Sequence, residues 1–199
     1  MRKINASAGI LIGGKSLRFG SDKAFMTLRA DPVSIHIHRI LIKIFREVFF
    51  VGGNAEKYIP EDTVILPDLY PETGPLGGLA TALAHARYPY CFLTACDLPF
   101  FNSGPVIKLW ENTGEYDISV PVWNGSVEPL FAFYHRRCTG EIVQTIEAGR
   151  FMLKGFWEKL KVKKVDMLKF YTRTELERLF YNINTPSDYV KAMDMVNCG

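Results

Sequence analysis

The chain has 199 residues, 48% of them hydrophobic and 23% charged, the balance of a globular protein with enough apolar surface for its own core. Its formal net charge of +3, from 24 basic and 21 acidic residues, is too slight for a nucleic-acid or membrane-surface protein, whose partners demand a concentrated basic patch. Cys91, Cys96, Cys138 and Cys198 form no C-x-x-C pair and no zinc-type spacing, which fits reduced thiols in a cytosolic protein rather than a disulfide framework or a structural zinc site.

Arg2 and Lys3 ahead of an apolar run over 6–12 have the outline of a signal peptide, but Gly9, Gly13 and Gly14 leave the run too short. No other stretch approaches transmembrane length, so a cytoplasmic protein without a membrane partner is expected. Short apolar runs at 8–12, 47–51, 63–66, 90–94 and 117–120 read as buried strands alternating with helical patterns, the signature of an α/β layered fold. Between the first two, Asp31 as N-cap and Pro32 as first helical residue open a helix whose stripe is Ile37, Ile40, Leu41, Ile44 and Phe45. His36 and His38 lie within it two residues apart, so they point in different directions and read as surface residues rather than metal ligands.

A second helix starts at Pro75 with Leu76, Leu79, Ala80 and Leu83 inward; Gly77 and Gly78 in its first turn weaken it and imply a close backbone approach. Asn124-Gly125 marks a hairpin turn, so antiparallel pairing is expected to join the sheet there. Helical segments over 139–148 and 152–160, a strand over 162–167, a short helix from Thr174 and a closing helix from Ser187 complete the pattern. The basic run 159–164 alternates with apolar residues and reads as the solvated face of a strand.

Gly9 to Ser16 also matches the phosphate-loop pattern G-x-x-x-x-G-K-[ST]. In a true phosphate loop the strand ends before the first glycine and a helix begins at the Lys-Ser pair. Here Ile10, Leu11 and Ile12 are strand core, and Gly20-Ser21-Asp22 would stop such a helix after one turn. The better reading ends the strand at Ile12 and gives 13–23 to a glycine-bearing loop carrying Lys15, Arg18 and Lys23, able to cradle phosphate oxygens with backbone N–H groups and offset their charge.

That loop, "LIGGKSLRFGSDKAF", resembles the L-x-G-G-x-S-x-R-[MF]-G-x-D-K signature of nucleotidyltransferases, and most closely the molybdenum cofactor guanylyltransferase (MobA) family. "VGGNA", "LPDLYPETGPLGGL", "TACDLPFF", "VEPLFAFYH" and "NINTPSDY" follow in the family's order along most of the chain. Ile12 stands where the family usually has Ala, and Phe19 where Met is commoner; the bulkier Ile12 could alter the base pocket.

The resemblance implies a three-layer α/β sandwich with a Rossmann-like, mostly parallel but mixed sheet and helices on both faces, forming one domain over 1–199. Residues 1–120 would be its nucleotide-binding half and 121–199 its acceptor-binding half. It implies transfer of GMP from GTP to molybdopterin with release of pyrophosphate, and it allows transient contact with other proteins of molybdenum cofactor biosynthesis. Leu11, Gly13, Gly14, Lys23, Asn54, Asp68 and Asp97 would surround GTP.

The residues themselves support parts of this. Asp97 follows a strand at the carboxyl edge of a parallel sheet, where one carboxylate with phosphate oxygens can hold Mg2+; as a helix N-cap it would be followed awkwardly by "LPFF". Arg18 offers a bidentate fork and Lys23 a point charge to the β and γ phosphates, giving both catalytic roles beside Asp97. Asp68 serves equally as a turn residue. Asn182 and Asn184 flank Ile183, so on a strand they share a face that could hold the acceptor, although Asn184 could equally cap the last helix. The rival readings are a cytidylyltransferase, a nucleotide-binding homologue without turnover, and a phosphate-loop hydrolase.

Overall fold

The computed structural model describes residues 3–12, 27–28, 31–52 and 63–197. Strand β1 (Ile4–Leu11) is followed by α1 (Val33–Ile44), β2 (Phe45–Val51), β3 (Val64–Leu66), α2 (Pro75–His85), β4 (Tyr90–Ala95) and α3 (Ser103–Trp110). Then come β5 (Ile118–Trp123), β6 (Ser126–Val127), β7 (Phe131–His135), α4 (Thr139–Glu147), β8 (Val162–Asp166), α5 (Arg173–Leu179) and α6 (Pro186–Asn197). The strands form one sheet in the order β3-β2-β1-β4-β7-β5-β6, with β8 on the other edge of β5. β3, β2, β1 and β4 run parallel. β7 is antiparallel to both β4 and β5, and β8 is parallel to β5. The sheet is therefore mixed, and its parallel half is the first half of the chain.

Alternation along β1 divides the interior into two cores, as a period of two requires. Ile4, Ala6, Ala8, Ile10 and Ile12 face a core shared with α1, α3, α5 and α6, while Leu11 joins Phe49, Val51, Leu93 and the α2 residues on the opposite face. Helices thus cover both faces. At the centre of the first core Phe92 packs against Phe131 and Phe133, with ring centroids 5.1 Å away in each case. The thiols of Cys91 and Cys138 are sealed in; burial pushes Cys91 far above the usual thiol range and Cys138 up to about 12, so both behave as small apolar side chains.

Several expectations need correction. The first helix begins at Val33, with Pro32 as its extended N-cap residue bridged to Thr27. Asp31 does not cap it and pairs with Arg39 instead. His38 is buried rather than on the surface, stacked on Phe50 at 5.4 Å, and burial lowers its pKa. No helix forms over 152–160: Gly155 N–H closes a turn onto Met152 O at 2.8 Å, and only a three-residue 3-10 turn, Trp157–Lys159, follows. Burying Phe156 against Tyr134 takes precedence there over helical continuity. The helix α3 was not expected. It is short, Gly104 and Pro105 occupy its first turn, and Asn102 caps it by accepting from Gly104 N–H. The Asn124-Gly125 turn is as expected, with φ of 47° and 76° at its two centres, the double left-handed geometry of a type I′ hairpin.

Candidate functional site

Four parallel strands end at one level. Leu11 pairs with Val51 on one side and Ala95 on the other, and Val51 pairs with Leu66. Two backbone bonds, Ile12 N–H to Val51 O at 3.0 Å and Gly52 N–H to Leu66 O at 2.9 Å, carry the alignment just past the strands. The connections from β1 lead outward to β2 and β3, whereas β4 lies on the opposite side of β1. The carboxyl edge between β1 and β4 is therefore a topological switch point, the place where open α/β sheets bind ligands.

Of the residues expected at the site, Leu11, Asp68, Asp97, Asn182 and Asn184 fall among the described residues; Gly13, Gly14, Arg18, Lys23 and Asn54 lie outside them, as does Lys15. Leu11 ends β1 with its side chain packed on the first turn of α2: a Cβ on Gly78 would lie 2.7 Å from Leu11 Cδ2. Gly77 is tighter still, its hypothetical Cβ falling 2.1 Å from Thr73 Oγ1 and 2.5 Å from Tyr70 O. The expected close approach is thus to the protein's own chain, and the two glycines bring α2's N-terminus down onto the sheet edge.

Asp68 stands two residues beyond β3. Its Oδ1 accepts the Tyr70 N–H at 2.9 Å and the Thr81 hydroxyl at 3.1 Å, and the Thr81 oxygen in turn accepts the Leu69 N–H at 3.0 Å. The turn role considered for Asp68 is real, and both bonds fall on the same oxygen.

Asp97 stands two residues beyond β4. It is half-buried, with Oδ1 shielded from solvent. It caps no helix, since α3 starts at Ser103 under Asn102. Its carbonyl accepts the Ile183 N–H at 3.2 Å, which brings the 182–184 segment to this edge. That segment is irregular rather than a strand, because it makes this bond and then turns into α6. The alternation nevertheless holds: Ile183 is 2% exposed, whereas Asn182 and Asn184 are exposed. Asn184 is not the cap. Thr185 is, its hydroxyl accepting the Asp188 N–H at 3.2 Å while Asp188 Oδ2 accepts the N–H groups of Thr185 at 2.8 Å and Asn184 at 3.0 Å.

The same edge holds a carboxylate that sequence reasoning passed over. The Leu130 carbonyl accepts the Ala95 N–H at 3.3 Å, which sets the 128–130 turn beside the end of β4. Glu128 lies in that turn, half-buried, with Trp123 Nε1 donating to it at 3.2 Å; burial raises its pKa against that bond and the nearby Lys154 charge. The available signal was a lone acid between Val127 and Pro129 in an otherwise apolar run.

Among the described residues no group of three or more His, Cys, Asp or Glu could enclose a metal ion. A lone carboxylate such as that of Asp97 could contribute to holding Mg2+ only together with phosphate oxygens and water, not as part of a protein cage. A cavity of about 620 Å³ adjoins the segment after Asp97, lined by Pro99, Phe100, Phe101, Tyr171 and Arg178 among others. Its Arg178 is already engaged over the Phe100 ring, 4.7 Å from the centroid, and with Met195 O.

Comparison with known proteins agrees with this geometry. The model of the MobA-like NTP transferase domain matches residues 8–162. A Pelotomaculum thermopropionicum protein named "probable molybdenum cofactor guanylyltransferase" is 32% identical over 192 residues, covering 96% of this chain and 94% of its own. A Clostridium perfringens protein of the same name is 32% identical over 191 residues, 94% of this chain and 95% of its own. The crystal structure of molybdopterin-guanine dinucleotide biosynthesis protein A from Archaeoglobus fulgidus superposes with a TM-score of 0.81 at 23% identity, over 97% of this chain and all of that one. No helix among the described residues is long and apolar enough to cross a membrane. The mixed sheet, its carboxyl-edge switch point and these matches agree: the chain belongs to the MobA-like NTP transferase family.

Proposed function

We propose that this chain is a molybdenum cofactor guanylyltransferase, moving GMP from GTP to the terminal phosphate of molybdopterin in a single domain. Residues 1–120 serve the nucleotide and 121–199 the acceptor. The observation that supports the reading is the backbone bond from Ile183 N–H to the Asp97 carbonyl, which holds the segment of the proposed acceptor asparagines against the residue proposed to bind the metal. The names of the nearly full-length relatives support the choice of both substrates.

In the proposed reaction an acceptor phosphate oxygen bonds to the α-phosphorus of GTP and the bond to the β-phosphate oxygen breaks, releasing pyrophosphate. Two anions must meet, so positioning and charge neutralisation carry the acceleration and no protein nucleophile is needed. Backbone N–H groups of Gly13 and Gly14 cradle phosphate oxygens, and Arg18 and Lys23 neutralise the charge of the departing pyrophosphate. Asp97 would hold Mg2+, which would supply further charge stabilisation on the phosphates. Leu11, Asn54 and Asp68 hold the nucleoside, while Asn182 and Asn184 hold the acceptor by amide hydrogen bonds.

The test is to incubate purified protein with each nucleoside triphosphate, magnesium and molybdopterin, and to identify products by mass. A GMP adduct with equimolar pyrophosphate is expected. A CMP adduct would make the chain a cytidylyltransferase, and orthophosphate released without acceptor would restore the phosphate-loop hydrolase.

A further inference from the structure

Helix α2 is apolar almost throughout, and Thr81 is its one buried hydroxyl, fully enclosed at 0% exposure. A β-branched residue is a poor choice for a helix interior, and a buried hydroxyl is costly unless bonded. The side chain has a single proton and commits it to Asp68 Oδ1 at 3.1 Å, while its oxygen takes the Leu69 N–H at 3.0 Å. With the Tyr70 N–H at 2.9 Å, Asp68 Oδ1 is held from two sides. A carboxylate pinned through one oxygen has a fixed plane, so the direction of Oδ2 is fixed with it.

We infer that Thr81 is the positioning residue for Asp68, orienting the carboxylate so that Oδ2 meets the donor groups of the nucleoside. This rests on the reading of Asp68 as a nucleotide contact. The rigid support is α2, which Gly77 and Gly78 seat on the turn before it and on Leu11. Without Thr81 the carboxylate rotates about its side-chain bonds, and each productive encounter must select the right rotamer. The loss falls on nucleotide binding and not on the chemical step, which depends on groups elsewhere along the edge.

Steady-state kinetics of Thr81→Val, Thr81→Ser, Asp68→Asn and the Thr81→Val/Asp68→Asn double variant, with melting temperature followed in parallel, provide the test. Thr81→Val keeps the volume and removes the bonds; it should raise KM for GTP roughly tenfold with kcat within about threefold. Thr81→Ser should restore both values. The double variant should have a KM for GTP no higher than that of Asp68→Asn alone, because the effect of Thr81 on the nucleotide passes through Asp68. An unchanged KM in Thr81→Val, or a double variant whose KM multiplies the two single effects, would overturn the inference. If Thr81→Val does not fold, Thr81→Ala is judged by the same criteria. Asp68→Asn with a normal KM would instead retire Asp68 as a nucleotide contact, a failure of the underlying reading visible without any change at Thr81.

Discussion

Asp97 can be replaced by its amide with almost no change in shape, so Asp97→Asn isolates charge. Its turnover should fall by about 10²-fold or more, the scale for losing a preorganised charge-stabilising group, while the melting temperature stays near wild type. A near-normal rate at limiting magnesium would remove Asp97 from the metal site. Lys23 and Lys15 separate the two readings of the first loop: Lys23→Ala should lose on the order of 10² in pyrophosphate release, and Lys15→Ala only a few-fold. The reverse order would favour the phosphate-loop match. The position of Asp97 at the sheet edge was legible because it follows an apolar strand by two residues, whereas for Asp68 the residues alone left a turn role and a ligand role even. Thr81 and Glu128 were not legible, because their meaning comes from partners 13 and 5 residues away that meet only in the fold.

Glycines at the start of α2 would ordinarily invite replacement by alanine, which favours a helix interior by about 1 kcal/mol. At Gly77 the new methyl meets a backbone carbonyl that cannot yield, so Gly77→Ala should lower stability by about 1–3 kcal/mol, the usual range for overpacking. Gly78→Ala meets only the end of the Leu11 side chain and should cost less. Urea midpoints for the two variants provide the comparison, and a Gly77→Ala protein more stable than wild type would contradict the packing. The sequence announced these glycines as a close approach but could not name what approached. The same limit hid α3, whose eight residues carry Gly104 and Pro105, and promised a helix over 152–160 where apolar spacing was present but Phe156 is drawn into the core. Long periodic segments such as α1 and strands with an uninterrupted apolar run such as β4 depend less on such competition, and they were read to within one or two residues.

At the scale of the whole molecule, the far end of the sheet is tied by Asp117. Its carboxylate accepts from Arg137 Nε at 2.7 Å and Lys161 N–H at 2.9 Å, linking the entry to β5 with the exits of β7 and the start of β8. Burial alone would raise its pKa, but the Lys161 N–H and the Arg137 guanidinium outweigh this and hold it below the usual carboxylate range. A depressed folded-state pKa adds stability that is present above the unfolded-state value and is lost as pH falls through the folded one. Asp117→Asn should therefore be less stable than wild type at pH 7, with the gap in urea midpoint closing as pH falls below about 4; a gap independent of pH would exclude the linkage. The strand order has a consequence for how the molecule is made. β7 stands between β4 and β5, so the stretch proposed to bind nucleotide ends before the strand that closes its own sheet has been synthesised. During translation β4 leaves the ribosome with one bare edge, and β5 has only the two-residue β6 beside it until residue 135 has followed. The proposed functional boundary near residue 120 is therefore not a boundary of cooperative folding. A fragment of residues 1–120 should give no sharp unfolding transition and should aggregate through the open β4 edge, whereas a sharp transition would mean that the nucleotide half folds as a unit by itself.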